Sequence, residues 1–427
     1  MNAGDATRDR VRPRTIGVLV TGQVLGGVSA GATISLGALL AADVTGDEAL
    51  SGLASTFLTL GAALAAVPLA RLAVRAGRRP ALASGALVSA TGAAATIGAV
   101  AASSAVLLFA AFLLVGVGSA VGLQARFAAT DLSGPGSRAR DLAVVVWATT
   151  VGAVLGPNLV GPGAVIGEAV GLPDRTGPFL FSIVSGLLAA AVYLVGLRPD
   201  PLLEARRRGA LATASIPGRE ERSSDARRRF AILAVTASHA VMVAVMAMTP
   251  VQLHHHGNAD AVVGFTLSLH IAGMYALSPV FGWLADRWGR IRLVLAGQVV
   301  LAVSLVVASV GAEDTVAVSV GLVLLGLGWS AATIAGSALV TESTALDARP
   351  RVQGRTDLLM NLGGATAGAL AGVVLSMLGY GGLALTALAV VAVVVVAGLL
   401  TSRSRTVPTG AVGRADRPRR GRGSPVG

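Results

Sequence analysis

Runs of about twenty apolar residues, bounded by arginine, glycine or proline, recur along the whole of this 427-residue chain. At about 1.5 Å per residue, each is long enough to cross a hydrocarbon layer of about 30 Å as a helix. Twelve such runs begin near residues 15, 51, 80, 104, 141, 177, 230, 262, 291, 315, 354 and 380. The first, Thr15 to Leu40, follows Arg8, Arg10, Arg12 and Arg14 as a signal peptide would, but it is too long for one and further spans follow. Only 13% of residues are charged, against about 25% in a soluble domain. Backbone polar groups in hydrocarbon must be satisfied internally, so the sequence predicts an all-α membrane protein of twelve transmembrane helices.

The longest polar interval, Arg198 to Arg229, contains Arg206-Arg207-Arg208 and Arg227-Arg228-Arg229. It divides the chain into an N-terminus (1–14), a six-helix half (15–197), a linker (198–229), a second six-helix half (230–401) and a basic, disordered tail (402–427). All 34 basic residues are arginine, and all but Arg175 fall on one side of the membrane if both termini share that side. Positive loops remain inside, so both termini are expected in the cytoplasm, beneath the plasma membrane. The other face carries Asp43, Asp47, Glu48, Glu168, Asp174, Asp260, Glu313 and Asp314. The net charge of +12 and the tail run Arg417 to Arg422 suit anionic lipid, at about 1 kcal/mol per arginine, better than nucleic acid. Zero cysteines exclude disulfides, thiolate metal sites and cysteine nucleophiles. No nucleophile–base pair, phosphate loop or carboxylate dyad stands at usable spacing, so neither an enzyme nor a prosthetic group is expected. A monomer is the expected state.

The halves align at an offset of about 211 residues. Gly116-Val-Gly118 matches Gly326-Leu-Gly328, and Thr130-Asp131 with Arg138 and Arg140 matches Thr341-Glu342 with Arg349 and Arg351. Arg75-Ala-Gly77-Arg78 matches Arg287-Trp-Gly289-Arg290. Two parallel six-helix repeats, and the loop from Gly282 through Asp286, Arg287, Gly289 and Arg290, resemble the major facilitator superfamily. Gly282 suits close helix approach, Gly289 a turn, and Asp286 a contact with a neighbouring helix N-terminus that forms in one access state: a conformational latch. The first-half copy has Ala70 for the glycine and Val74 for the aspartate, so a latch is not expected there. Gly152, Gly156 and Pro157, followed by Gly161, resemble the superfamily's antiporter motif, which implies drug or proton exchange. By themselves they read as a tightly packed, kinked helix.

All five histidines and four of the seven methionines lie between His239 and Met274. Thioethers and imidazoles together suit copper and other soft metals. His239, Met242 and Met246 are spaced by three and four on the seventh span, and His270 and Met274 by four on the eighth. Counting from the inner helix ends, Met242 and Met246 lie at roughly 18 and 24 Å, His270 and Met274 at roughly 21 and 15 Å. Four ligand types thus share one depth near the membrane midplane. His254, His255 and His256 sit at the outer end of the seventh span, as an entry station or a solvated helix end.

Met242-x-x-x-Met246 followed by His270-x-x-x-Met274 resembles the paired motif of the CcoA-type copper importers, a branch of the superfamily that supplies copper for haem-copper oxidase assembly. The resemblance implies Met242, Met246, His270 and Met274 as copper ligands, with His239, His254, His255 and His256 as auxiliaries and copper as cargo. A sister group takes up riboflavin. Two alternatives therefore stand beside copper import: an organic-solute carrier, for riboflavin or drug efflux, and a membrane copper sensor or assembly partner that does not transport. The scattered Trp147, Trp329 and Tyr275 give little sign of a stacking site. Asp131, Asp286, Glu342 and Asp357 all read as inner-end residues, so no mid-span carboxylate relay is expected.

Overall fold

The computed structural model describes residues 3–47, 50–134, 136–215, 225–255 and 260–403. Its first half comprises α1 (Ala3–Thr45), α2 (Leu53–Ala76), α3 (Arg78–Ala101), α4 (Ala105–Ala128), α5 (Arg138–Asn158), α6 (Val160–Ala169) and α7 (Phe179–Gly196). The linker contributes α8 (Pro201–Ser215). The second half comprises α9 (Asp225–His255), α10 (Asp260–Tyr275), α11 (Ser278–Trp288), α12 (Arg290–Val310), α13 (Thr315–Glu342) and α14 (Arg349–Arg403). The tail expected beyond residue 402 lies outside the described residues from 404 onward, as does the middle of the linker.

Among the described residues, ten helical stretches are long and apolar enough to cross a membrane. One is Arg349–Ser402, which if straight would reach about 80 Å, far more than a layer of about 30 Å. Gly379 (φ 69°, ψ −179°) breaks it, so α14 passes twice; with α1 the passes number twelve. Helix α1 begins well ahead of Thr15, and there Arg12 ties it to Asp141 of α5 at 2.8 Å. Two expected single spans are divided in two. The fifth splits at Leu159, three residues before Pro162, and the eighth splits just before Pro279, because proline lacks the amide that continues a helix.

Close packing follows the sequence repeat. A Cβ on Gly116 would lie 2.1 Å from the Leu58 carbonyl of α2, and one on Gly326 would lie 2.6 Å from the His270 carbonyl of α10. Equivalent glycines thus seat α4 on α2 and α13 on α10. Gly152 similarly lets α5 approach Gly27 of α1. Gly77 (φ 97°) and Gly289 (φ 99°) occupy left-handed backbone at the sharp turns α2–α3 and α11–α12, where a side chain would be strained.

The halves meet at the arginine-rich end of the helices. Gly282 of α11 packs against Ala139 and Ala143 of α5, and Gly354 of α14 packs against Ala66 and Ala70 of α2. Asp286 accepts hydrogen bonds from the Ala139 and Arg140 amides, in the first turn of α5, at 3.2 and 3.0 Å. The same carboxylate pairs with Arg290 at 2.7 Å, and Arg290 reaches Glu342 at 3.2 Å. Arg287 lies over the Trp283 ring, 5.3 Å from its centroid. In the first half, Arg78 is fully buried, pairs with Asp131 at 2.9 Å and donates across the interface to Gln353 at 2.5 Å. A polar bridge between the halves therefore exists on the first-half side as well, built from an arginine instead of the missing aspartate.

Candidate functional site

A cavity of about 440 Å³ lies between the halves, within the range of small-molecule sites. Its two walls differ in chemistry. The first-half wall is contributed by α1, α3, α4, α5 and α7 and is rich in glycine: Gly22, Gly26, Gly27, Gly118 and Gly122. Among its polar residues is Gln23, whose side-chain amide donates to Thr149 Oγ1 at 2.8 Å. The carbonyl oxygen of that amide is buried with no partner among the described residues.

The second-half wall is aromatic and thioether. It presents His239 and Met246 from α9, Met274 and Tyr275 from α10, and Trp329 from α13. Trp329 donates its indole N–H to His239 Nδ1 at 3.2 Å, and the Tyr275 ring meets it edge-on with centroids 5.9 Å apart. Helices α9 and α10 both pack on α13 and touch each other little, so Trp329 stands between the two. Two aromatic rings that looked isolated in sequence form one face here. Trp147, the third, is 40% exposed on the outside.

Toward the arginine-rich end the cavity is lined by Arg126, Met360 and Asn361. Arg126, from the last turn of α4, pairs across the halves with Asp357 of α14 at 2.6 Å, and the side chains are 3% and 1% exposed. The same Nη2 lies 3.8 Å from the Met360 sulfur. Arg126 Nε and Asp357 Oδ2 are buried without partners among the described residues. Asp357 is eight residues inside α14 rather than at its tip.

The predicted ligand set divides. Met246, Met274 and His239 reach the cavity wall, whereas Met242 and His270 stand behind it, 2% and 0% exposed. Successive helical residues turn by about 100°, so His239 and Met246 lie within about 20° of each other and Met242 about 60° off. Met242 and Met274 are packed in the core with Leu322 and Trp329. His270 Nδ1 contacts the Leu322 carbonyl at 2.7 Å. A carbonyl only accepts, so Nδ1 carries the proton and Nε2 keeps a lone pair, buried with no partner among the described residues. Of the histidine triplet, His256 lies outside the described residues; the side chains of His254 and His255 also do, although α9 runs to His255. Among the described residues no three His, Cys, Asp or Glu side chains are grouped to hold a metal.

Sequence reasoning missed the Trp329–Tyr275–His239 face and the Arg126–Asp357 pair. One signal for the second was available: Arg126 falls within the last turn of an apolar span, ahead of the loop arginines Arg138 and Arg140.

The sequence profile of the Major Facilitator Superfamily matches residues 18–258 and 230–422. The chain is 37% identical over 383 residues to the uncharacterized MFS-type transporter YddS of Bacillus subtilis, covering 87% of each. It is 31% identical over 417 residues to the riboflavin transporter RfnT of Brucella anthropi, covering 96% of this chain and all of that one. In fold it is similar to the human organic anion transporter MFSD10 (TM-score 0.71, 16% identity, 91% of this chain and 99% of that one). It is also similar to a bacterial homologue of the iron transporter ferroportin in its outward-facing state (TM-score 0.68, 12% identity, 91% of this chain and 99% of that one). With twelve passes, an interhalf cavity and a profile match along nearly its whole length, this chain belongs to the Major Facilitator Superfamily of membrane transporters, and is not an enzyme.

Proposed function

We propose that this transporter carries a planar organic solute by alternating access, with riboflavin the first candidate. The observation that carries this reading is the face formed by Trp329, Tyr275 and His239 with Met246 and Met274 beside it. A flat heteroaromatic ring stacks on such a surface, and polarizable sulfur packs against ring edges. The opposing wall is rich in glycine and adds little side-chain bulk to the chamber. The 31% identity to a riboflavin transporter supports the same class. In this reading the arginine-rich end faces the cytoplasm of a plasma-membrane protein, and anionic lipid lies against it. Asp286, Arg287 and Arg290, with Gly282 and Gly289, form the latch that opens when the halves rock.

One observation favours copper as a second reading: the bare Nε2 of His270, fixed by its Nδ1–H bond as a metal-binding imidazole is, one turn from Met274. For Met242 and His270 to join Met246 and Met274 around one ion, α9 and α10 would have to rotate toward the cavity.

The test is uptake of labelled riboflavin and of copper into vesicles holding the purified protein, with Trp329→Ala and His270→Ala beside the parent. The organic-solute reading expects riboflavin uptake that falls several-fold in Trp329→Ala and is spared in His270→Ala. Copper uptake lost in His270→Ala, with no riboflavin uptake in the parent, would reverse the order of the two readings.

A further inference from the structure

We infer that Arg126 is the polar anchor for the solute, and that the solute takes it from Asp357, so that binding itself loosens the closed end of the transporter. This rests on the organic-solute reading above and names the chemistry of the substrate edge: carbonyl or anionic oxygens, such as the dione of a flavin ring.

Three observations converge. First, Arg126 and His239 are the basic side chains on the cavity wall, and no carboxylate lines it, so the wall as described favours an electron-rich edge. Second, the guanidinium is incompletely used. Its Nη2 serves both Asp357 and Met360, while Nε has no partner among the described residues. A guanidinium offers five N–H donors in a planar fork, so a pair of oxygens can be held side by side. Third, the partner lies where it can report binding. Asp357 is one turn beyond Gln353 and Gly354, the residues through which α14 touches Arg78 and Ala70 of the other half.

The consequence follows from charge burial. A carboxylate 1% exposed is tolerated beside a guanidinium and very unfavourable without one. When solute oxygens take Nη2 together with the unused donors of Arg126, the arginine stays satisfied and Asp357 loses the hydrogen bond it has to that nitrogen. The nearest relief is water, admitted by separating α14 from α2 and α4 at the arginine-rich end. Solute binding and opening of that end are thereby one exchange of hydrogen-bond partners.

The experiment compares Asp357→Asn with the double variant Asp357→Asn/Arg126→Gln, because Arg126→Gln alone would strand a buried carboxylate and risk misfolding. Riboflavin binding is read by quenching of flavin fluorescence on purified full-length protein. Spin labels at Arg71→Cys and Arg355→Cys, on a chain without native cysteine, report the separation of α2 and α14. Asp357→Asn is expected to bind riboflavin at least as tightly as the parent. The double variant is expected to bind it at least tenfold more weakly, the scale of a lost hydrogen bond from a charged donor. Riboflavin should lengthen the label separation in the parent, and Asp357→Asn should lengthen it without ligand. Lumichrome, which keeps the dione edge and lacks the sugar chain, should compete, whereas ribitol should not. Equal affinity of the two variants overturns the anchor, and an unchanged separation in Asp357→Asn overturns the gate. A parent that binds no riboflavin overturns the substrate reading instead, and the ligand-free label separations of the variants then decide the gate alone.

Discussion

The two halves close the same end of the molecule with opposite arrangements. On the second-half side the glycine is on the loop-bearing helix, Gly282 of α11, and its alanine partners are on α5. On the first-half side the loop-bearing helix α2 carries Ala70, and the glycine has moved to the partner, Gly354 of α14. The polar link is exchanged too. Asp286 holds the α5 amides from a position 9% exposed, with Glu342 31% exposed behind it. Arg78 and Asp131 are both fully buried, and it is the arginine that reaches across to Gln353. A close contact needs one small residue, and a bridge needs one donor and one acceptor; which half supplies each is free to change.

Arg78→Ala should have the largest effect of any change at this interface. It leaves Asp131 buried without its cation and should cost about 3–5 kcal/mol, read as a loss of thermal stability in detergent. A loss below about 1 kcal/mol would mean that the buried first-half pair behaves like a surface one.

Moving the glycine comes next. In Gly354→Ala the new methyl would sit 2.4 Å from the Ala70 Cβ and 2.9 Å from the Ala66 carbonyl, an overpacking of about 1–3 kcal/mol. Adding Ala70→Gly should recover most of that stability and the transport rate. Failure to recover either would show that the Ala66 carbonyl, not the Ala70 methyl, sets the distance.

Asp286→Asn keeps the shape and removes the charge at the start of α5, worth about 1 kcal/mol. A cysteine placed at Ala143 should then be labelled roughly five times faster, as the interface between α5 and α11 opens more often. An unchanged rate would leave the packing of Gly282 as the sole latch on that side.

The smallest effect concerns the linker helix, which is hydrogen-bonded to the first half. Arg206 of α8 donates to the Val74 carbonyl, and Asp200 accepts from the Arg79 amide at the start of α3. Within α8, burial pushes the Glu204 carboxyl up, but hydrogen bonds and charge from Arg208 and Arg207 outweigh it, and its pKa is lowered. A carboxyl lowered on folding adds stability above its ordinary pKa and loses it as pH falls through the folded value. Amide exchange across Pro201–Ser215, corrected for intrinsic rates, should therefore accelerate modestly in acid, by less than about 1 kcal/mol. Exchange independent of pH would mean that the Glu204 pairs add nothing to the stability of α8.

The fold was readable from sequence because a bilayer leaves few choices: span length, arginine placement and the 211-residue repeat each point to the same twelve passes. The site was readable in one coordinate. Met242, Met246, His270 and Met274 were matched for depth, but rotation about each helix axis decides which side chain meets the cavity, and Met242 and His270 are turned away from it. Rotation is set by packing on α13 and, for α9, on α14 as well, which no spacing within α9 or α10 encodes. Trp329 and His239 are 90 residues apart, and Arg126 and Asp357 are 231 apart. Their meeting depends on how whole helices, and then whole halves, dock.

Of the glycines on the first-half cavity wall, Gly26 differs from its neighbours. A Cβ on Gly22 or Gly118 would strike Tyr193 or Ser89, but a Cβ on Gly26 would meet nothing within 4 Å. A methyl group at Gly26 therefore has open space in the chamber. Alanine, valine and leucine at Gly26 would form a graded series of narrower chambers. The girth of the transported molecule would then be a property of one backbone position, separable from the chemistry that recognises it.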